Sequence, residues 1–138
     1  MTDEDLIRKK LAFIETCLSE LRSLARADRI TTDVKERRFV EHTLQICIQA
    51  VQGIASHIVS DERLGEPNGN AALFSLLVQA GWLNEETAAF LRSAVGFRNV
   101  LVHGYTVVNP DTVREVLEKH LGDIDQFVSA IRARLSAS

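Results

Sequence analysis

Apolar residues recur at steps of three and four along most of this chain, and that period limits the fold more than any other feature. Glycine and proline together are scarce, with seven and two residues, whereas β-sandwiches and barrels need many tight turns. The sequence therefore predicts an all-α fold, a bundle of four to five helices. The predicted helices cover residues 3–26, 34–60, 71–80, 84 to about 105, and 110–135.

Two features refine this prediction. The second helix is apolar on more than one side, so we expect it to be central in the bundle or to lie in a dimer interface. Polar residues in front of the segments predict the helix starts. They are Thr2 with Asp5 as a capping box, Asn70 before the third helix, Asn84 before the fourth, and Asn109 with Pro110 before the last.

Length and composition exclude several classes of protein. The 138 residues fit one domain, spanning 1–138 with an ordered core of about 3–135, and the apolar content of 46% excludes wholesale disorder. A net charge of −3 argues against a protein that coats nucleic acid nonspecifically. No apolar run is long enough to cross a membrane, and the charged start does not resemble a secretory signal, so we expect a cytoplasmic location.

Metal and cofactor sites are not expected. The sequence contains no phosphate-binding glycine loop, no HExxH and no paired Cys/His ligand sets. Cys17 and Cys47 lie among apolar residues and are predicted to be buried free thiols. We interpret His42 and His57 as helix-face or partly buried residues, with no acidic residue at ligand spacing from His57. His120 interrupts the apolar stripe of the last helix and is interpreted as a boundary residue, not a catalyst.

The segment from Phe97 to Tyr105 differs from the rest of the chain. Arg98, Asn99, His103 and Tyr105 lie within eight residues around an apolar Val-Leu-Val. On a helix, Asn99 aligns with His103 and Arg98 aligns with Tyr105, while Gly104 lets the chain leave the helix. The segment therefore places a permanent cation and a proton carrier at a helix end, away from the predicted core stripe.

From the residues alone, two interpretations of this segment remain open. Arg98 could pair with a carboxylate, His103 could cap the helix and Tyr105 could be a rim aromatic. Alternatively, Arg98 and His103 could bind and transform a phosphate group. An Arg-His pair in isolation does not decide between them.

The motif Arg-x4-His-x-Tyr in a small helical chain resembles the HEPN superfamily, specifically the HepT-like toxins of two-gene toxin–antitoxin modules. The resemblance covers nearly the whole chain. It includes Ser56-His57-Ile58 on the second helix and the Leu-x-x-x-Gly-Trp-Leu stretch over residues 77–83. Gly53 departs from the family pattern, because many relatives carry an acidic residue at this point of the second helix.

The resemblance implies a toxin that acts as a metal-independent endoribonuclease, and the chemistry of the residues agrees with it. RNA supplies its own nucleophile, the 2′-OH, so cleavage needs only proton transfer and charge stabilisation. His103 suits general acid–base catalysis, and Arg98 can bind phosphate oxygens as charge develops. Asn99 is expected to support them by orienting a partner or holding a phosphate oxygen.

The resemblance also implies partners. One Arg and one His per chain are too few for a separate acid and base, so a homodimer with a composite cleft is expected. The family's antitoxin is a minimal nucleotidyltransferase, and Tyr105 is the implied target of its adenylylation. The alternative function is a noncatalytic HEPN partner that docks a nucleotidyltransferase and binds nucleotide or RNA phosphate.

Overall fold

A computed structural model describes residues 3–103 and 108–137 of the chain. These residues form a short 3-10 turn at Ala27–Arg29 and contain no β-strand, so the prediction of an all-α fold is confirmed. No helix in this part of the chain is long and apolar enough to cross a membrane. The α-helices are α1 (Glu4–Leu24), α2 (Val34–Asp61), α3 (Asn70–Gln79), α4 (Glu85–His103), α5 (Pro110–Lys119) and α6 (Leu121–Ser136).

Acidic N-caps start the two long helices. The Asp3 carboxylate accepts a hydrogen bond from the Leu6 amide at 3.2 Å, so Asp3 rather than the predicted Thr2 caps α1. Thr2 itself lies outside the described residues. In α2, Asp33 accepts from the amides of Lys35 and Glu36 at 2.9 and 3.4 Å. Each carboxylate satisfies amides that lack an intrahelical partner and opposes the positive end of the helix dipole.

Helix α2 is the central element of the bundle, as predicted. It packs against α1, α3, α4 and α5. Its apolar residues are buried in several directions, because a helix surrounded by neighbours has no wholly solvent-facing side. Cys47 on α2 and Cys17 on α1 are free thiols with exposures of 0% and 1%, which confirms the prediction of buried cysteines.

The bounds of α3 are set by two glycines with positive φ. Gly69, at φ 97°, is the N-cap, so the prediction of Asn70 as cap is wrong by one residue. After α3, Gly81 adopts φ 82° and the Trp82 amide donates to the Leu77 carbonyl at 2.8 Å. This hydrogen bond closes the carboxyl end of α3, and the positive φ of Gly81 makes it possible.

The predicted last helix is divided into α5 and α6 at His120. Asn109 caps α5 and Pro110 opens it, as expected. The next buried residue after Val116 is Leu121, five positions later. On a continuous helix, two side chains five residues apart point about 140° away from each other. A continuous helix would aim these two side chains in different directions. The break at His120 lets both face the core.

Candidate active site

Helix α4 carries the predicted site at its carboxyl end. The helix starts at Asn84, whose side chain accepts from the Thr87 amide at 2.8 Å, and its last residue is His103. Over its first three turns α4 buries one stripe against the bundle: Thr87, Ala88, Leu91, Ala94 and Val95. This anchorage fixes the direction in which the following residues project.

Arg98 continues the buried stripe of α4, which corrects the expectation that it lies away from the core stripe. It is three residues after Val95 and seven after Leu91, so it shares their side of the helix. The side chain is half-buried, and its Nε atom is buried. Arg98 is therefore directed toward α2 instead of extending freely into solvent.

The guanidinium of Arg98 contacts a neutral partner. Its Nη2 donates to Gln49 Oε1 on α2 at 3.3 Å, while Nε has no partner within the described part of the chain. By contrast, Arg22 pairs with Asp125, Arg92 with Glu85 and Arg132 with Glu15. Among residues 3–103 and 108–137, no carboxylate pairs with Arg98. Its positive charge is therefore positioned by an amide and stays available to an anion.

Asn99 and His103 lie on an exposed side of the same helical end, one turn apart as predicted. The apolar residues between them are also accessible, since Val100 and Val102 are 38% and 43% exposed. The end of α4 thus combines a held guanidinium, an exposed amide, an exposed imidazole and an apolar surface. Such a set can bind a phosphate, move a proton and pack against another surface.

Tyr105 and Gly104, the remaining predicted residues of the motif, lie outside the described residues. The predicted alignment of Tyr105 with Arg98 therefore stays a prediction. The described chain resumes at Val108, one residue before the Asn109 cap of α5.

Comparison with known proteins identifies the family. Residues 14–131 match the family described as Ribonuclease HepT-like. This chain belongs to that family. The HepT-like chain is 32% identical over 130 residues to the mRNA nuclease HepT of Shewanella oneidensis, covering 94% of this chain and 98% of that protein. It is 26% identical over 132 residues to the tRNA nuclease HepT of Aphanizomenon flos-aquae, covering 94% and 90%.

A solved structure extends this similarity to the fold. The tri-AMPylated HEPN toxin of Shewanella oneidensis, in complex with the MNT antitoxin, superposes on the HepT-like chain with a TM-score of 0.86 at 32% identity. The match covers 96% of this chain and 99% of that one. The family predicted from the Arg-x4-His-x-Tyr motif and the helical fold predicted from the apolar spacing are therefore confirmed.

Sequence reasoning missed the contribution of α2 to the site. Gln49, the residue that holds Arg98, is 49 positions away in sequence, and no local pattern marks it. Because Gly53 has no acidic side chain, the sequence did not show whether α2 contributes to the site. The helix does contribute, through Gln49, one turn before Gly53. The contact could be found only from the packing of α4 on α2.

One expectation about the histidines is wrong. His57 does have an acidic partner at helical spacing, because its Nε2 lies 2.9 Å from Asp61 Oδ2, one turn later on α2. The i,i+4 spacing of His57 and Asp61 in the sequence is enough to predict this contact on a helix. Nevertheless, within residues 3–103 and 108–137 no three His, Cys, Asp or Glu residues are grouped so that they could hold a metal ion.

A groove of about 470 Å³ lies beside α4, with Phe90 and Phe97 from α4 and Val116 and His120 from the α5 side among its lining residues. His120 stacks on Phe90 with ring centroids 4.8 Å apart, and its Nδ1 lies 3.0 Å from Asp123 Oδ2. His120 thus lies between α5 and α6, where the sequence predicted one continuous helix. Arg98, Asn99 and His103 are absent from the lining of this groove.

Proposed function

We propose that this HepT-like chain is the toxin of a toxin–antitoxin module and acts as a metal-independent endoribonuclease. One observation carries the proposal: Arg98 is held against α2 by the neutral Gln49, with no carboxylate partner in the described chain, five residues before the exposed His103. A guanidinium kept free of carboxylates retains its two-pronged affinity for phosphate oxygens. The names of the two nuclease relatives support RNA as the substrate.

In the proposed reaction, the imidazole of His103 accepts the proton of a ribose 2′-OH as that oxygen attacks the neighbouring phosphorus. The bond from phosphorus to the 2′ oxygen forms, and the bond from phosphorus to the 5′ oxygen breaks. A second, protonated imidazole donates a proton to the departing 5′ oxygen. The products are a 2′,3′-cyclic phosphate and a 5′-OH end. Arg98 stabilises the charge on the phosphoryl oxygens, and Asn99 orients the phosphate or His103.

The second imidazole comes from a second copy of the chain. We propose a homodimer in which the carboxyl ends of two α4 helices face each other and form one composite cleft. The exposed Val100 and Val102, which lie between Asn99 and His103, supply apolar surface for this contact. The dimer thereby provides the acid and the base that one chain lacks.

The proposed partner is a nucleotidyltransferase antitoxin. The related toxin is AMPylated and bound to the MNT antitoxin, and Tyr105 is the only tyrosine of the present chain. The Tyr105 phenol oxygen attacks the α-phosphorus of ATP, pyrophosphate leaves, and the phenolic proton passes to solvent or to a base of the antitoxin. The adenylyl phosphate beside His103 then excludes the RNA phosphate by bulk and by like charge.

A cleavage assay in EDTA tests the nuclease mechanism. The purified chain should cleave total RNA and a defined oligonucleotide in excess EDTA, and mass spectrometry should find cyclic phosphate and 5′-OH ends. His103→Ala should abolish cleavage, while His42→Ala, at an exposed histidine of α2, is the matched control. Cleavage only after a divalent ion is added would refute metal independence. Binding of RNA without cleavage would instead support the noncatalytic alternative, which the net charge of −3 favours.

A further inference from the structure

A second cation, Lys10, lies over α2 one turn from Gln49, the residue that holds Arg98. Gly53 on α2 lies beneath the side chain of Lys10 from α1, so closely that a Cβ atom at Gly53 would be 3.1 Å from Lys10 Nζ. The missing side chain at Gly53 thus leaves the space in which the ammonium group rests. Lys10 is half-buried, so its stem lies along the bundle.

The geometry of α2 places both cations over one surface. Gln49, which holds Arg98, and Gly53, which lies under Lys10, are four residues apart and therefore on the same side of the helix. Four residues correspond to a rise of about 6 Å. Arg98 approaches this surface from α4 and Lys10 approaches it from α1.

Among the described residues, neither cation is paired with a carboxylate. Like Arg98, Lys10 has no carboxylate within ion-pair distance in the described chain, whereas nearby Arg8 pairs with Glu4 on the same helix. Two cations on one side of α2 raise the local positive potential and attract anions to this surface.

We propose that Lys10 binds a phosphate of the RNA strand next to the phosphate held by Arg98, with Gly53 as the opening that admits its side chain. This inference rests on the proposed ribonuclease function and adds to it a binding residue outside the Arg-x4-His-x-Tyr motif. Lys10 contacts a phosphate that does not react, so it stabilises the bound substrate and the transition state equally. Its loss should raise KM and leave kcat within about twofold.

The first test measures binding of a 2′-O-methyl RNA oligonucleotide, which cannot be cleaved, at several salt concentrations. For a single strand, log K decreases linearly with log salt, and the slope becomes less negative by about 0.7 for each phosphate that the protein no longer neutralises. Lys10→Ala should show this change for each Lys10 that the strand touches, together with about fivefold weaker binding. Lys9→Ala is the matched control, because Lys9 is an exposed neighbour on another side of α1. It should leave the slope unchanged.

A second variant leaves Lys10 in place but occupies its site. Gly53→Asp puts a carboxylate beneath the ammonium, so it should reduce the salt slope as Lys10→Ala does. Gly122→Asp is its control, since Gly122 is a helical glycine of α6 with no atom within 4 Å of an added Cβ. Thermal unfolding of all four variants verifies that they are folded.

The outcomes separate this inference from the proposed function. A wild-type chain that cleaves RNA, with Lys10→Ala identical to Lys9→Ala in slope and KM, would overturn the role of Lys10 and leave the nuclease mechanism standing. A fall in kcat without a change in slope would also overturn it, since a distal phosphate contact cannot act in that way. A wild-type chain that neither binds nor cleaves RNA would refute both.

Discussion

Replacing Arg98 with alanine should affect activity far more than stability, and the contacts of Arg98 indicate the size of each effect. The bond from Nη2 to Gln49 is long, at 3.3 Å, and its acceptor is neutral. A bond of this kind contributes about 0.5–1.5 kcal/mol to the free energy of unfolding. Alanine also removes the buried, unpartnered Nε, and such a group costs about 1–3 kcal/mol in the folded state.

The two contributions have opposite signs, so the free energy of unfolding should fall by no more than about 0.5 kcal/mol and rise by no more than about 2.5 kcal/mol. For a domain of this size, Tm should then be no more than about 2 °C lower and no more than about 10 °C higher. Catalysis depends on the same guanidinium, and no opposing effect offsets its loss in the transition state. Removing one preorganised group that stabilises transition-state charge lowers kcat by about 10²–10³.

Arg92→Ala is the matched control on the same helix. Arg92 pairs with Glu85 and donates to the Ser75 hydroxyl at 3.3 Å. Its loss should reduce stability by up to about 1 kcal/mol, as for a partly exposed ion pair, and leave cleavage unchanged. Thermal unfolding by circular dichroism and single-turnover cleavage of one oligonucleotide measure both properties. The reasoning is refuted if Arg98→Ala unfolds more than about 8 °C lower, or retains more than a tenth of wild-type kcat.

Three further predictions concern assembly, control and the thiols. Light scattering at micromolar concentration should give about twice the 15.4 kDa of one chain. The double variant Val100→Glu with Val102→Glu should be monomeric and should not cleave RNA. An active monomer would contradict the composite cleft. Coexpression with the cognate nucleotidyltransferase should add adenylyl groups to Tyr105, which intact-mass measurement and peptide mapping would show. Tyr105→Phe should stay toxic but resist neutralisation by the antitoxin. Modification at another residue would disprove the role of Tyr105. Neither Cys17 nor Cys47 should react with a thiol reagent in the native state, because both are buried. The hydrogen bond between them, with burial, raises the pKa of Cys47, whereas the same bond lowers the pKa of Cys17, so burial alone protects Cys17. Rapid labelling without unfolding would contradict this packing.

The helices could be predicted from the sequence because their determinants are local. Apolar spacing depends on residues three and four apart, and the caps at Asn84 and Asn109 act within one turn. The errors were local as well. At the start of α3, Gly69 takes the cap position that Asn70 was expected to fill, and the five-residue step between Val116 and Leu121 divides a helix that looked continuous.

The reactive groups of the site could also be predicted from the sequence, because Arg98, Asn99 and His103 are close together along one helix. Their order predicts which groups share a face, but the surroundings of each group depend on distant residues. Only the packing of α4 against α2 places Gln49, 49 positions earlier, against the guanidinium of Arg98. Only the packing of α1 against α2 places Lys10 over Gly53. Helical period and capping are short-range properties that a sequence displays directly, whereas the neutralisation or exposure of a charge depends on which helices become neighbours, and that is decided by burial of the whole apolar core.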